Sequence, residues 1–187
     1  MLKEKQMKNN DELIEACLKG DSRAQKMLFE KHGPKLFAVC MRYSNSEEEA
    51  KDVLQDGFIK IFEKLNIYKG EGSFEGWMRR VVVNTALDAI RKNKKLKSQV
   101  DIDDVAYGLT TNESVLDTMA AEDLMLVLQT LPTGYRTVFN LYVIEGYSHK
   151  EIAEELNITV STSKSQFSRA KGILREILEK RNMRYES

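Results

Sequence analysis

In GWMRRVVVNTALDAIRKNKK, residues 76–95, the polar residues Arg80, Asn84, Asp88, Arg91 and Lys95 recur at intervals of three and four. At about 100° per residue of helix they gather within roughly 80° of one another, as one narrow stripe. Guanidinium and ammonium groups on a single edge suit phosphate neutralisation, the dominant contact between proteins and nucleic acids. Val81, Val82, Val83, Ala86, Leu87, Ala89 and Ile90 cover most of the remaining circumference, so the helix is expected to be nearly buried with this edge outermost. The stripe alone fits a core helix with a solvated edge as well as it fits an edge that receives a nucleic-acid strand. Asp88 is its awkward member, either orienting Arg91 or Lys92 across one turn or repelling phosphate.

A second constellation lies in SHKEIAEELNITVSTSKSQFSRAKGILREIL, residues 148–178. A short helix holding Ile152, Ala153 and Leu156 inward is joined by the turn ITV to a longer helix holding Phe167, Ala170, Leu174 and Ile177 inward, which is helix-turn-helix spacing. Small Ala153 lets the helices cross closely, and Ser148 with Glu151 forms a capping box that fixes the start of the first. Ser161, Lys164, Ser165, Ser168 and Arg169 fall opposite or beside Phe167, a small, polar, basic face. Such a face suits the major groove, where Arg and Lys read guanine edges and Ser serves several bases. Lys171, Arg175, Lys180, Arg181 and Arg184 could add phosphate contacts.

Other chemistry is scarce. Cys17 and Cys40 are placed as buried thiols on two separate helices, with no C-x-x-C pair and no histidine at ligand spacing, so neither a metal nor a redox role is expected. His32 and His149 have no acid or nucleophile at a recognisable spacing, which argues against an enzyme. The chain carries 29 basic and 29 acidic residues, a balance that at first opposes a nucleic-acid partner. The balance hides a sorting: residues 79–97 hold Arg79, Arg80, Arg91, Lys92, Lys94, Lys95 and Lys97 against Asp88 alone, whereas residues 98–123 hold seven acids and no Lys or Arg.

The elements that position these residues are helical throughout. Gly and Pro are few, and nowhere does apolar–polar alternation persist over a strand length, so the class is all-α. A length of 187 residues suits two compact units. A first helix from Asp11 stops at Gly20. A second, capped by Asp21 or Ser22, is expected to break at Gly33-Pro34, leaving a third segment to about Tyr43. Ser46 and Glu49 form a capping box opening a helix to about Leu65; the loop NIYKGEGS follows, and Ser73 caps the striped helix. The first domain thus spans residues 10–96. Residues 97–118 are an acidic, flexible linker without helical period. The second domain, 119–184, begins with AEDLMLVLQTL, and Pro132 opens PTGYRTVFNLYVIEG at its first turn. No run approaches the roughly 20 apolar residues of a membrane span, and MLKEKQMKNNDE lacks the apolar core of a signal peptide, so a cytoplasmic protein is expected.

The order DVLQDGFIKIFEKL…YKGEGSFEGWMRRVVVNTALDAIRK, an acidic linker, then LPTGYRTVFNLYVIEGYSHKEIAEELNITVSTSKSQFSRAK resembles bacterial RNA polymerase sigma factors of the extracytoplasmic-function class, from residue 11 to about 180. The resemblance implies a non-enzymatic initiation factor without cofactor or metal. Its partners would be core RNA polymerase and promoter DNA, both duplex and melted single strand, and an anti-sigma factor would hold it inactive. Residues 52–65 match the helix that docks on polymerase, where Asp52, Gln55, Asp56 and Ile59 share one face. The loop 66–73 and the following helix match the reader of the melted −10 element, where a base is flipped out. The candidates there are Tyr68 as a stacking wall, Asn84 as an edge reader, and Lys69, Arg80, Arg91 and Lys95 as backbone holders. Phe74 and Trp77 are expected in the core. The helix-turn-helix matches the reader of the −35 element, with Thr162, Lys164, Ser165, Ser168 and Arg169 as contacts. The linker would thread the RNA exit path of the polymerase.

The chain departs from the family's pattern at two places. Family members usually carry Glu-Thr or Glu-Ala where Asp56-Gly57 stands here. Gly57 weakens a helix by about 1 kcal/mol relative to Ala, and the expected reason is close packing. Ser161-Thr162-Ser163-Lys164-Ser165-Gln166 stands where Gly-Thr-Val-Lys-Ser-Arg is common, so one Arg is missing and base preference does not transfer. The competing readings are a stand-alone helix-turn-helix regulator, which would bind its operator without polymerase, and a helical adaptor, which would leave both basic surfaces without a purpose.

Overall fold

The structure, a computed structural model, describes residues 10–97 and 121–185, with side chains assigned there except at 94–97, 121–124, 178 and 180–185. Every regular element among the described residues is helical. The expected linker, residues 97–118, lies outside the described residues apart from Lys97, as do residues 119 and 120. The chain divides into two compact units, with the division after Ala89.

In the first unit α1 (Asn10–Leu18), α2 (Ser22–Tyr43), α3 (Glu47–Lys64) and most of α4 (Phe74–Lys97) follow one another, with a 3₁₀ turn at Leu65–Ile67, and α4 runs on past the division. Gly20 stops α1 in the left-handed region (φ 77°), and Asp21 rather than Ser22 caps α2, its carboxylate accepting from the Arg23 and Ala24 amides at 2.9 and 3.4 Å. The expected break at Gly33-Pro34 does not occur: α2 is continuous to Tyr43. Pro34 costs the bond that its amide would have donated to the Glu30 carbonyl. Both residues are exposed, so water can take that carbonyl, while buried Leu28, His32, Leu36, Val39 and Cys40 hold the other side of the helix.

The core joins Leu13 and Cys17 of α1, Leu28, Leu36 and Cys40 of α2, Val53, Phe58 and Ile61 of α3, and Met78, Val82, Val83 and Leu87 of α4. Each large aliphatic among them contributes about 1.5–3 kcal/mol by leaving water. Both thiols are buried as expected, and burial pushes the Cys40 thiol up to about 12. It stays protonated and inert. Ser46 caps α3 by accepting from the Glu49 amide (3.2 Å), but the Glu49 carboxylate takes the Asn45 amide (2.8 Å), so the expected box is displaced by one residue.

The second unit contains α5 (Ala121–Gln129), α6 (Thr133–Phe139), a π-helical segment (Asn140–Ile144), α7 (His149–Leu156) and α8 (Val160–Tyr185). Pro132 precedes α6 as its N-cap, one residue earlier than expected, and its carbonyl accepts from the Arg136 amide at 3.0 Å. The long helix expected after it changes pitch at Asn140, where the Glu145 amide donates back to the Asn140 carbonyl (3.0 Å) across five residues. Leu128, Leu131, Ala170 and Leu174 form the centre of a core onto which Tyr135, Phe139 and Ile173 pack.

Candidate nucleic-acid interface

Three faces carry the candidate residues. On α3 the spacing sends Ala50, Val53, Leu54, Gly57, Phe58 and Ile61 inward, and Asp52, Gln55, Asp56 and Ile59 are all exposed. Ile59 is 49% exposed, an apolar side chain standing in water beside two carboxylates. Gly57 shows why the helix tolerates a poor former: a Cβ there would lie 3.0 Å from Val82 Cγ2 on α4. The expected close packing is present.

On α4, Ser73 accepts from the Gly76 amide (3.0 Å) and starts the helix as expected. Val82, Val83, Ala86 and Leu87 are buried, Val81, Ala89 and Ile90 are half-buried, and Arg80, Asn84, Asp88 and Arg91 are exposed. Lys95 lies in the last turns of α4, where side chains fall outside the described residues. Asp88 accepts from Lys60 of α3 at 2.9 Å, a partner on another helix that neither reading of the stripe had named. That bond joins the striped edge of α4 to α3. The loop before α4 turns through Gly70 and Gly72, both in the left-handed region (φ 75° and 79°) that a side chain would resist. Lys69 is exposed there. Tyr68 is half-buried against Phe74 and Trp77, at ring separations of 5.1 and 5.3 Å, and its hydroxyl donates to the Gly72 carbonyl (3.1 Å). Phe74 is buried and Trp77 half-buried, stacked 5.7 Å apart, so the loop rests on an aromatic floor.

In the second unit the capping box is complete: the Glu151 amide donates to Ser148 Oγ (3.2 Å) and the Ser148 amide to the Glu151 carboxylate (2.8 Å). The turn is Asn157-Ile158-Thr159 rather than ITV. Asn157 takes the left-handed conformation (φ 50°), and Thr159 caps α8 by accepting from the Thr162 amide (3.0 Å). Ile152 and Ala153 are buried, and Leu156, Phe167 and Ile177 half-buried. Lys164, Ser165, Ser168 and Arg169 are exposed on α8, whereas Thr162 is half-buried, its hydroxyl 2.8 Å from that of Thr159. Ser165 Oγ donates to the Thr162 carbonyl (3.0 Å), and Arg169 donates to the Tyr135 hydroxyl (3.0 Å). Lys171 sits 5.0 Å from the centre of the Phe167 ring. His149 shares a hydrogen bond with Ser163 (2.9 Å). Sequence reasoning gave neither residue a role, because 14 positions and a turn separate them.

Comparison with known proteins identifies both units. Residues 28–96 match the model of Sigma-70 region 2, and residues 121–174 match that of Sigma-70, region 4. The ECF RNA polymerase sigma factor SigE of Mycolicibacterium smegmatis is 30% identical over 157 residues, covering 82% of this chain and 61% of the relative. The RNA polymerase sigma-H factor of Pseudomonas aeruginosa is 28% identical over 182 residues, covering 91% of this chain and 94% of the relative. Among solved structures, the sigma factor RpoE of Bartonella quintana, in complex with the anti-sigma factor NepR, shares the fold at a TM-score of 0.50 and 23% identity, over 82% of this chain and 96% of that one.

Proposed function

The chain belongs to the extracytoplasmic-function class of sigma-70 factors, and on that premise we propose that it is a cytoplasmic, non-enzymatic initiation factor that binds core RNA polymerase and directs it to promoters. The observation that carries this reading is the pair of sigma-70 regions, 2 then 4, each with an exposed polar face on a helix whose other sides are packed. A stand-alone helix-turn-helix regulator needs no region 2.

In this proposal Asp52, Gln55, Asp56 and Ile59 dock on the polymerase, mixing charge with apolar area as a specific interface does. Asn84 reads a base of the melted −10 element, with one acceptor and two donors on an exposed amide. Tyr68 walls the pocket, and its packing on Phe74 and Trp77 makes it rigid. Lys69, Arg80, Arg91 and Lys95 hold the strand's phosphates. Trapping an unstacked base offsets the few kcal/mol that unstacking costs, so melting needs no ATP. Lys164, Ser165, Ser168 and Arg169 face the −35 duplex, and Thr162 supports them through the cap of α8. An anti-sigma factor restrains the free protein, as the class implies.

Purified chain, core polymerase and a promoter library test the proposal together. A stoichiometric complex that selects promoters is expected, and Asp56→Lys should weaken it while melting temperature holds. Specific duplex binding without any polymerase complex would overturn the reading.

A further inference from the structure

His149, the first residue of α7, packs on three sides against other parts of the helix-turn-helix. Its ring stacks on Tyr142 of the π-helical segment, 4.5 Å between centres and 17° from parallel. Tyr142 in turn lies 4.6 Å from Phe167 of α8, and His149 itself stands edge-on to Phe167 at 5.7 Å. The Nδ1 atom meets Ser163 Oγ at 2.9 Å, and Ser163 is fully buried. One imidazole therefore ties α7, the π-helical segment and the first turn of α8 together at the end of α8 that carries Lys164 and Ser165.

The π pitch is part of the arrangement. A helix continued at ordinary pitch past Asn140 would turn each following residue to a different azimuth. With the change, Leu141 is buried while Tyr142, 40% exposed, reaches the His149 ring. Burial, aided by the Lys164 ammonium, pushes the His149 pKa below its ordinary 6.5, which keeps the ring neutral and stackable at neutral pH.

We infer that His149, with Ser163 and Tyr142, is a positioning device that sets the angle at which α8 presents Lys164, Ser165 and Ser168 to duplex DNA. The inference rests on α8 being the reader of the distal element. Its physical reason is leverage. Side-chain tips stand about 5–6 Å from a helix axis, so a rotation of about 20° displaces them by about 2 Å. Base-edge hydrogen bonds tolerate only a few tenths of an ångström. A loose α8 would still touch phosphate but would read poorly.

The test uses holoenzyme assembled from the full chain and core polymerase, with a duplex library randomised over the distal element. Ser163→Ala and His149→Phe each remove the hydrogen bond, and His149→Phe retains a ring for the stack. Each is expected to reduce discrimination between the preferred sequence and its single-base variants by about tenfold. Affinity for non-preferred DNA should hold, and the double variant should lose no more discrimination than either single one. Undiminished discrimination, losses that multiply, or equal loss on every sequence with a lowered melting temperature overturns the inference alone. Absence of any preference in the unaltered protein instead removes α8 as a reader, and the inference with it.

Discussion

At the scale of single residues, exposure separates Asn84 from its neighbours. It is an uncharged side chain on a helix whose adjacent positions Val83 and Thr85 are buried, with the Thr85 hydroxyl occupied by the Val81 carbonyl (2.8 Å). Asn84→Ala leaves that packing untouched. It is expected to reduce permanganate reactivity of the melted element and to change preference at one base, while duplex binding by the second unit persists; unchanged melting would remove Asn84 from the site. His32 offers a different residue-scale test. It is 2% exposed, faces Phe74 edge-on at 6.0 Å, and its Nδ1 lies 3.7 Å from the Glu75 carboxylate, while among the described residues none hydrogen-bonds its Nε2. Burial depresses its pKa below the ordinary 6.5, with Glu75 opposing and Lys31 and Lys35 assisting. Below about pH 6.5 the unfolded chain therefore binds more protons at this site than the folded one. Its contribution to stability is full above that pH and falls as the pH drops through it towards the lower folded value. His149 adds a slope of the same sign. His32→Phe should flatten the loss of melting temperature between about pH 7.5 and about pH 5; parallel curves would count against the assignment.

At the scale of elements, most local signals were legible, the Ser46–Glu49 box being displaced by one residue, and those set by distant packing were not. Ser148 with Glu151 and Ser73 act within three or four residues, and both appear as the sequence implies. The periodicity of α3 also put Asp52, Gln55, Asp56 and Ile59 on one face, and all four are exposed. Pro34 misled, because whether a proline ends a helix depends on what holds the flanking turns, here the buried stripe from Leu28 to Cys40. The π pitch at Asn140 and the His149–Ser163 bond exist only once α7 and α8 are packed. Nor did the composition of the stripe show that Asp88 turns to Lys60. Gly57 lies between these cases: its cost to α3 was readable, and its reason, Val82 on α4, is tertiary. Gly57→Val should therefore destabilise the first unit by about 1–3 kcal/mol, because overpacking at a 3.0 Å approach outweighs the gain in helix propensity. A lowered urea midpoint at constant slope is the expected result, and a raised midpoint would mean that α3 and α4 part easily there.

At the scale of the whole molecule, zero net charge conceals a division of labour along the chain. The basic run of residues 79–97 is followed by an acidic stretch, and the family resemblance implies opposite partners for the two, promoter DNA for the first and, as a proposal, the basic RNA path of the polymerase for the second. On that proposal an acidic peptide would occupy the space of nascent transcript, and the RNA would have to displace it to grow. If the linker takes that path, converting Asp101, Asp103, Asp104, Glu113 and Asp117 to their amides removes five negative charges from it and should weaken its hold. Open complexes should form as before, while short abortive transcripts fall severalfold relative to full-length product, as measured by labelled run-off synthesis. Salt supplies a second check on the same mechanism. The Debye length shrinks to about 10 Å at 0.1 M and about 3 Å at 1 M, so raising salt should narrow the difference between the two proteins. A product ratio identical at low salt would separate the linker from the RNA path and leave its acidity to solubility alone.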